Sequence, residues 1–305
     1  MSRRGIIIRA TGSWYEADCG GDIVSCRIRG RLRLRGVRST NPVVVGDEVN
    51  LTEDARGEWA IDDIMPRRNY VIRRASNLSK ESHIIAANID RALLVVTLCS
   101  PATPVEFVDR FLVTCEAYKI PVTILLAKCD LYENLTDEAA GFVRTYESAG
   151  YRVLRVSALR GDGVAEVAAM MREGTTLLSG NSGVGKSTLV HAVCPEVEIR
   201  TGEISESHRK GRHTTTFSTM YALPAGGRVI DTPGIKGFGL IDIDDAELWH
   251  YFPEMLERGA GCRFYNCTHT HEPGCAVAEA VASGEIAESR YASYLKMMDE
   301  DEKYR

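Results

Sequence analysis

Gly180-Asn181-Ser182-Gly183-Val184-Gly185-Lys186-Ser187 decides the fold of this 305-residue chain. The eight residues fit G-x-x-x-x-G-K-[ST]. An apolar run, residues 176–179, leads into them, and Thr188-Leu189-Val190 continues them as the start of a helix. Strand, glycine-rich loop and helix form the setting in which backbone N–H groups curl around phosphates, with the helix N-terminus adding positive potential. Lys186 is expected to reach the β- and γ-phosphates, and the Ser187 hydroxyl to hold Mg²⁺. Candidate nucleotide contacts therefore run through Ser179, Gly180, Asn181, Ser182, Gly183, Val184, Gly185, Lys186 and Ser187.

Downstream, the strand-like Arg228-Val229-Ile230 ends in Asp231-Thr232-Pro233-Gly234. Asp231 can bind the magnesium through water, and the Gly234 N–H can sense the γ-phosphate. Between the two motifs lies His213-Thr214-Thr215-Thr216, where Thr215 is the candidate to complete the magnesium shell. Many such proteins place a glutamine after the glycine to orient the attacking water. Here that residue is Ile235, which can neither orient water nor carry a proton. His213, beside the threonines, is the candidate catalytic group, since histidine positions water or shuttles protons near neutral pH.

The base-reading candidates lie upstream. Apolar residues 122–126 run into Ala127-Lys128-Cys129-Asp130. Asp130 can accept hydrogen bonds from the N1–H and N2–H₂ of guanine, which adenine lacks. The aliphatic stem of Lys128 can cover the base plane. Ser157-Ala158, after the strand-like residues 152–156, is similar to the further loop whose backbone contacts the guanine oxygen. These motifs ordinarily follow the phosphate loop. Their inversion marks a circularly permuted GTPase domain.

That domain is expected over residues 76–245, where buried apolar strands alternate with helical stretches in the α/β manner. Residues 1–75 read differently. Short strand-like segments (6–8, 23–28, 31–34, 43–45 and 49–51) are separated by Gly20-Gly21, Gly30, Gly36 and Gly46-Asp47, the pattern of a small β-barrel. Residues 246–305 are polar and mostly helical in pattern, with helices expected over 276–282 and 287–298.

A cysteine cluster interrupts this last segment. Cys262, Cys267, His269 and Cys275 give C-x₄-C-x-H-x₅-C, three thiolates and one imidazole within fourteen residues, which suits a closed tetrahedral zinc site that staples a domain short of core. His271 is a rival ligand, read as a surface histidine. Cys19, Cys26, Cys99, Cys115, Cys129 and Cys194 stand singly and read as small buried hydrophobes.

The net charge of −5 argues against a general nucleic-acid binder, yet it hides an asymmetry. Residues 1–75 carry 14 Lys/Arg against 10 Asp/Glu, whereas residues 246–305 carry 6 against 11. Arg27, Arg29, Arg31, Arg33 and Arg35 alternate with Ile28, Gly30, Leu32 and Leu34, which puts five like charges on one face of an extended strand. An anionic partner, RNA, is the expected reason. No apolar run reaches the roughly 18–20 residues needed to cross a bilayer, so the expectation is a cytoplasmic protein with no membrane partner.

With a barrel in front, permuted GTPase motifs in the middle and the Cys/His cluster behind, the chain resembles the ribosome small subunit-dependent GTPase A family. Gly46-Asp47 and Asn88-Ile89-Asp90 belong to the same resemblance. It implies an N-terminal OB-fold barrel, a circularly permuted P-loop GTPase domain and a zinc domain. It further implies GTP/GDP, Mg²⁺ and one structural Zn²⁺, the small ribosomal subunit and its rRNA as partners, and a monomer. The family pattern has Asn or Thr where Ala127 stands, a side chain that normally bonds the base and ties the base loop to the phosphate loop. The rival functions are a P-loop ATPase or nucleotide kinase, against which Asp130 speaks, and a zinc-stapled RNA-binding protein that uses GTP only as a ligand.

Overall fold

The computed structural model describes residues 2–29, 42–74, 82–197, 218–232 and 243–302. Its first five strands are β1 (Ser2–Ala10), β2 (Tyr15–Asp18), β3 (Ile23–Ile28), β4 (Glu48–Glu53) and β5 (Trp59–Ile64). β1 pairs antiparallel with both β2 and β4, β2 with β3, and β4 with β5. The parallel pairing of β3 with β5 closes the ring, which gives the five-stranded OB-type barrel. Alternation fills it: Ile7, Tyr15, Ala17, Cys26, Val49, Leu51 and Ile61 are buried inside, while Arg27 and Arg29 point outward. Arg31, Arg33 and Arg35 lie outside the described residues.

The strand expected at 43–45 is a buried turn entry with a single bridge, Val45 to Ala86. Gly46 and Asp47 explain this. Gly46 has φ +92°, and a Cβ there would stand 2.0 Å from the Ala87 carbonyl oxygen. The fully buried Asp47 carboxylate accepts the Val44 N–H at 2.8 Å and the Arg67 guanidinium at 2.6 and 2.7 Å. Asn88 reaches across to the same turn, its side-chain amide donating to the Gly46 carbonyl at 2.9 Å. Asp90 accepts the Thr175 N–H at 2.7 Å and Arg68 at 2.8 Å. The two short motifs carried by the resemblance thus fasten the barrel to the segment that follows.

A hairpin, β6 (Tyr70–Arg74) with β7 (Ser82–Ala87), leads into the α/β layer. That layer runs β8 (Arg91–Val96), α1 (Val105–Ala117), β9 (Val122–Ala127), α2 (Thr136–Ser148), β10 (Arg152–Val156), α3 (Val164–Met170), β11 (Thr175–Ser179), α4 (Lys186–Val193), β12 (Thr219–Ala222) and β13 (Arg228–Asp231). The sheet order is β10-β9-β8-β11-β13-β12, parallel except for β12. β12, only four residues long and unread in the sequence, also pairs with β1 through Arg9 and Thr219, so barrel and α/β layer share one eleven-stranded sheet. Strand numbering reverses between β8 and β11, and in open α/β sheets ligands sit at the carboxyl ends beside such a switch point.

The C-terminal segment holds a 3₁₀ stretch (Asp245–Tyr251), α5 (Pro253–Gly259), α6 (Ala276–Ala282) and α7 (Glu288–Glu302). Its buried cluster, built on Leu248, Phe252, Met255, Val277, Ile286 and Tyr294, takes in Val113 of α1, so the segment has more core than its polar sequence suggests. At this junction Arg290, fully buried, donates to Asp109 of α1 at 2.7 Å and to Glu254 of α5 at 2.7 and 3.3 Å. Its guanidinium lies 4.6 Å from the Phe252 ring centre. Burial lowers the Arg290 pKa, and the charges of Asp109 and Glu254 more than reverse that. Of the six single cysteines, Cys26, Cys115 and Cys194 are buried, whereas Cys19, Cys99 and Cys129 are only half-buried.

Candidate nucleotide and metal sites

The phosphate-loop sequence joins β11 to α4 at the switch point. Gly180, Gly183 and Gly185 all have positive φ, at 149°, 83° and 100°. A Cβ on Gly180 would meet the Val95 carbonyl oxygen at 2.4 Å, so β8 itself demands glycine there. Lys186 curls back under the loop, donating to the carbonyls of Gly180 at 2.7 Å and Asn181 at 2.9 Å. Ser187 is half-buried on the first turn of α4, Ser182 and Gly183 are exposed at the tip, and Val184 is buried beneath. The Ser179 hydroxyl is buried with no hydrogen-bond partner among the described residues.

Asp231 ends β13 close enough to Lys186 for each to act on the other's charge. Burial raises the Asp231 carboxyl, and Lys186 opposes that only in part. Burial lowers the Lys186 ammonium, with Asp231 pulling the other way. A buried carboxylate short of positive charge at the end of a strand is a fitting ligand for a divalent cation.

Ala127 ends β9, and Lys128, Cys129 and Asp130 follow it, the last two in a 3₁₀ turn. Lys128 adopts a left-handed backbone, φ +57°, and its ammonium donates to the Gly183 carbonyl at 2.7 Å and to the Ser100 carbonyl. The base loop is therefore tied to the phosphate loop by Lys128 itself. The Tyr132 hydroxyl donates to the Ala127 carbonyl and accepts the Leu98 N–H, pinning the end of β9 to the end of β8. Ser157 does more than its expected backbone part: its hydroxyl donates to the Asp130 carboxylate at 2.6 Å and accepts the Arg160 N–H at 3.1 Å. Asp130, Ala158 and the phosphate-loop residues Val184 and Gly185 border one pocket of about 260 Å³. Leu131 and Leu159, largely exposed, and Thr188 of α4 line it too. Sequence reading missed these three. An exposed apolar residue right after each base-loop motif was the available signal.

Cys262, Cys267, His269 and Cys275 converge, with one donor atom from each lying within 4.8 Å of the others. Cys262 Sγ is 3.5 Å from His269 Nδ1 and 4.0 Å from Cys275 Sγ, and His269 Nδ1 is 3.4 Å from Cys275 Sγ. Zinc bonds of about 2.3 Å to sulfur and about 2.0–2.1 Å to nitrogen, set tetrahedrally, put donors at about these separations. Burial lowers the His269 pKa, with Glu272 opposing, which favours the neutral ligand form. The loop is held from outside: Tyr291 and Tyr294 of α7 donate to the carbonyls of His269 and Thr268, both at 2.6 Å. The Glu272 carboxylate accepts the N–H groups of Thr268, Thr270 and His271. His271 bonds Thr270 instead and stays exposed, away from the cluster.

Sequence comparison places this geometry in a family. The RsgA GTPase family model matches residues 64–241, and the RsgA N-terminal domain model matches residues 4–61. A protein of Bacteroides fragilis (strain YCH46) named small ribosomal subunit biogenesis GTPase RsgA is 50% identical over 306 residues, covering 99% of each chain. The chain belongs to the RsgA family of GTPases.

Among solved structures, YjeQ from Thermotoga maritima superposes with a TM-score of 0.78 at 33% identity, over 98% of each chain. YloQ, described as a circularly permuted GTPase, gives 0.73 at 27% identity, over 100% of this chain and 96% of that one. The strand order agrees: β11, which carries the phosphate loop, is central in the RsgA sheet, yet β8, β9 and β10 precede it in sequence. Membership brings GTP, GDP and Mg²⁺ as the ligands of this fold. Three of the expected RsgA site residues, His213, Thr215 and Gly234, lie outside the described residues.

Proposed function

We propose that this chain binds GTP in the pocket between Asp130 and the phosphate loop, and hydrolyses it during maturation of the small ribosomal subunit. The observation that carries the reading is the Ser157–Asp130 hydrogen bond, which aims a fixed carboxylate into a pocket whose far wall is Val184 and Gly185. Asp130 reads the N1 and N2 donors of guanine, and the Ala158 backbone meets its oxygen. Lys128 covers the base and braces the phosphate loop. Gly180 to Gly185 wrap the phosphates, and Lys186 leaves its carbonyl partners to meet the β- and γ-phosphates. Ser187 and Asp231 hold Mg²⁺, assisted by Thr215. The ion, when bound, neutralises charge developing on the phosphate oxygens. His213 positions the attacking water, and Gly234 senses the γ-phosphate.

Around this centre we assign three further roles. The outward arginines of the barrel contact rRNA phosphates. Cys262, Cys267, His269 and Cys275 hold one structural zinc. The chain works as a cytoplasmic monomer in three parts, the barrel over 1–75, the GTPase domain over 76–245 and the zinc domain over 246–305.

GTP turnover by the full chain, with and without purified small subunits, tests the proposal. Slow intrinsic hydrolysis is expected, because Ile235 cannot orient water, together with strong stimulation by the subunit. Asp130→Asn is expected to lose GTP and accept xanthosine triphosphate, whose base carries an oxygen where guanine has its N2 amine. His213→Ala should keep nucleotide binding and lose most of the stimulation. Equal affinity of the unaltered chain for ATP and GTP would overturn the base assignment. An unchanged rate on adding subunits would overturn the partner.

A further inference from the structure

Guanine offers five polar atoms along its edges, N1, N2, O6, N3 and N7, and the pocket does not meet all of them. Asp130 takes the N1–H and N2–H₂ donors at one edge, and a backbone N–H can serve O6. The acceptor on the imidazole edge, N7, needs a donor. Ala127 presents only a methyl group, 6% exposed and packed in the same apolar cluster as Val156, Val184 and Leu189. The Tyr132 hydroxyl is committed to the Ala127 carbonyl and the Leu98 N–H, and the Lys128 ammonium is anchored at the Gly183 and Ser100 carbonyls through two of its three N–H groups. Among the described residues Thr188 carries the one hydroxyl on the pocket wall, and it is exposed on the first turn of α4, beside the phosphate loop.

Resting on the guanine reading of the site, we propose that this pocket is blind to purine N7. It selects guanine through the N1, N2 and O6 edge alone, and meets the imidazole edge with an apolar wall built from Ala127, Val184 and Leu189. The base loop keeps its shape without a polar side chain at 127 because Lys128 and Tyr132 already fasten it to the phosphate loop and to β8. Selection against adenine is retained, since adenine lacks both donors that Asp130 accepts. What is given up is one hydrogen bond of affinity.

The test is the affinity of the full chain for GDP, 7-deaza-GDP and ADP, measured by calorimetry. In 7-deaza-GDP a C–H replaces N7 and leaves the other edge intact. The expected result is binding of 7-deaza-GDP within about threefold of GDP, with ADP far weaker. Ala127→Asn should then tighten GDP by about two- to tenfold, the worth of one hydrogen bond, and leave 7-deaza-GDP unchanged. GDP well ahead of ADP, but 7-deaza-GDP tenfold weaker than GDP, would overturn this proposal while leaving the guanine reading standing. A fall of GDP to the 7-deaza-GDP level in Thr188→Val would name Thr188 as the N7 donor. GDP no tighter than ADP would remove the guanine reading itself. If Ala127→Asn misfolds, the comparison of the three nucleotides on the unaltered chain still decides.

Discussion

Arg290→Met is expected to destabilise the chain by about 3–5 kcal/mol, the range for removing one partner from a buried ion pair. The guanidinium is wholly buried and is held by Asp109 and Glu254, which come from different parts of the chain. Methionine fills much of the volume but leaves two carboxylates without a countercharge and far from water. Both would have to take up protons or drag solvent into the junction between α1 and the zinc-binding segment. Urea denaturation should show the loss. Hydrogen exchange should localise it to α1, α5 and α7, since these three helices meet at Arg290. A change below about 1 kcal/mol would mean that the carboxylates find other partners, and that the junction is held by apolar packing around Val113 and Phe252 instead.

Cys267→Ala should empty the metal site. Structural zinc in small domains contributes roughly 10–16 kcal/mol of apparent binding free energy near neutral pH, and the loss of one of four ligands opens the tetrahedron to water. Metal analysis of the purified variant should find little zinc, whereas His271→Ala should retain it in full. The loop from 262 to 275 should then exchange rapidly, and the Tyr291 and Tyr294 hydrogen bonds to it should loosen. Acid should act in the same direction on the unaltered chain. Burial pushes the Cys267 thiol up to about 12 and raises the Cys275 thiol as well. Protons therefore compete with the metal for these sulfurs, and zinc affinity falls as pH falls. Full zinc occupancy in Cys267→Ala would overturn the ligand assignment.

The chemistry was legible in sequence wherever it is carried by neighbours along the chain. The phosphate loop occupies eight consecutive residues, and each glycine answers a local backbone need, as the positive φ angles of Gly180, Gly183 and Gly185 show. The four metal-binding candidates lie within fourteen residues, close enough along the chain to be read as a set, and the folded loop brings their donor atoms together. β8, β9 and β11 announced themselves as apolar runs because they are buried almost throughout, whereas the edge strand β10 exposes Arg152 and Arg155. The barrel was harder. β2 and β5 mix polar and apolar residues in short runs, and what makes them strands is closure against β1, β3 and β4. The run at 43–45 has strand composition, yet Gly46 and the buried Asp47 turn it into a corner.

Taken alone, the sequence determined the order of the motifs, and with it the permuted connectivity, since that order is a property of the chain and needs no coordinates. It also marked out the candidate water-positioning, metal-binding and base-reading groups. Only the tertiary structure decided which of these atoms meet. Lys128 braces Gly183 across 55 residues, Ser157 fixes Asp130 across 27, and Arg290 bonds Asp109 across 181. No local pattern encodes such pairs. A lysine beside a base loop, or an arginine in an acidic helix, looks like solvated charge until folding brings its distant partners within reach.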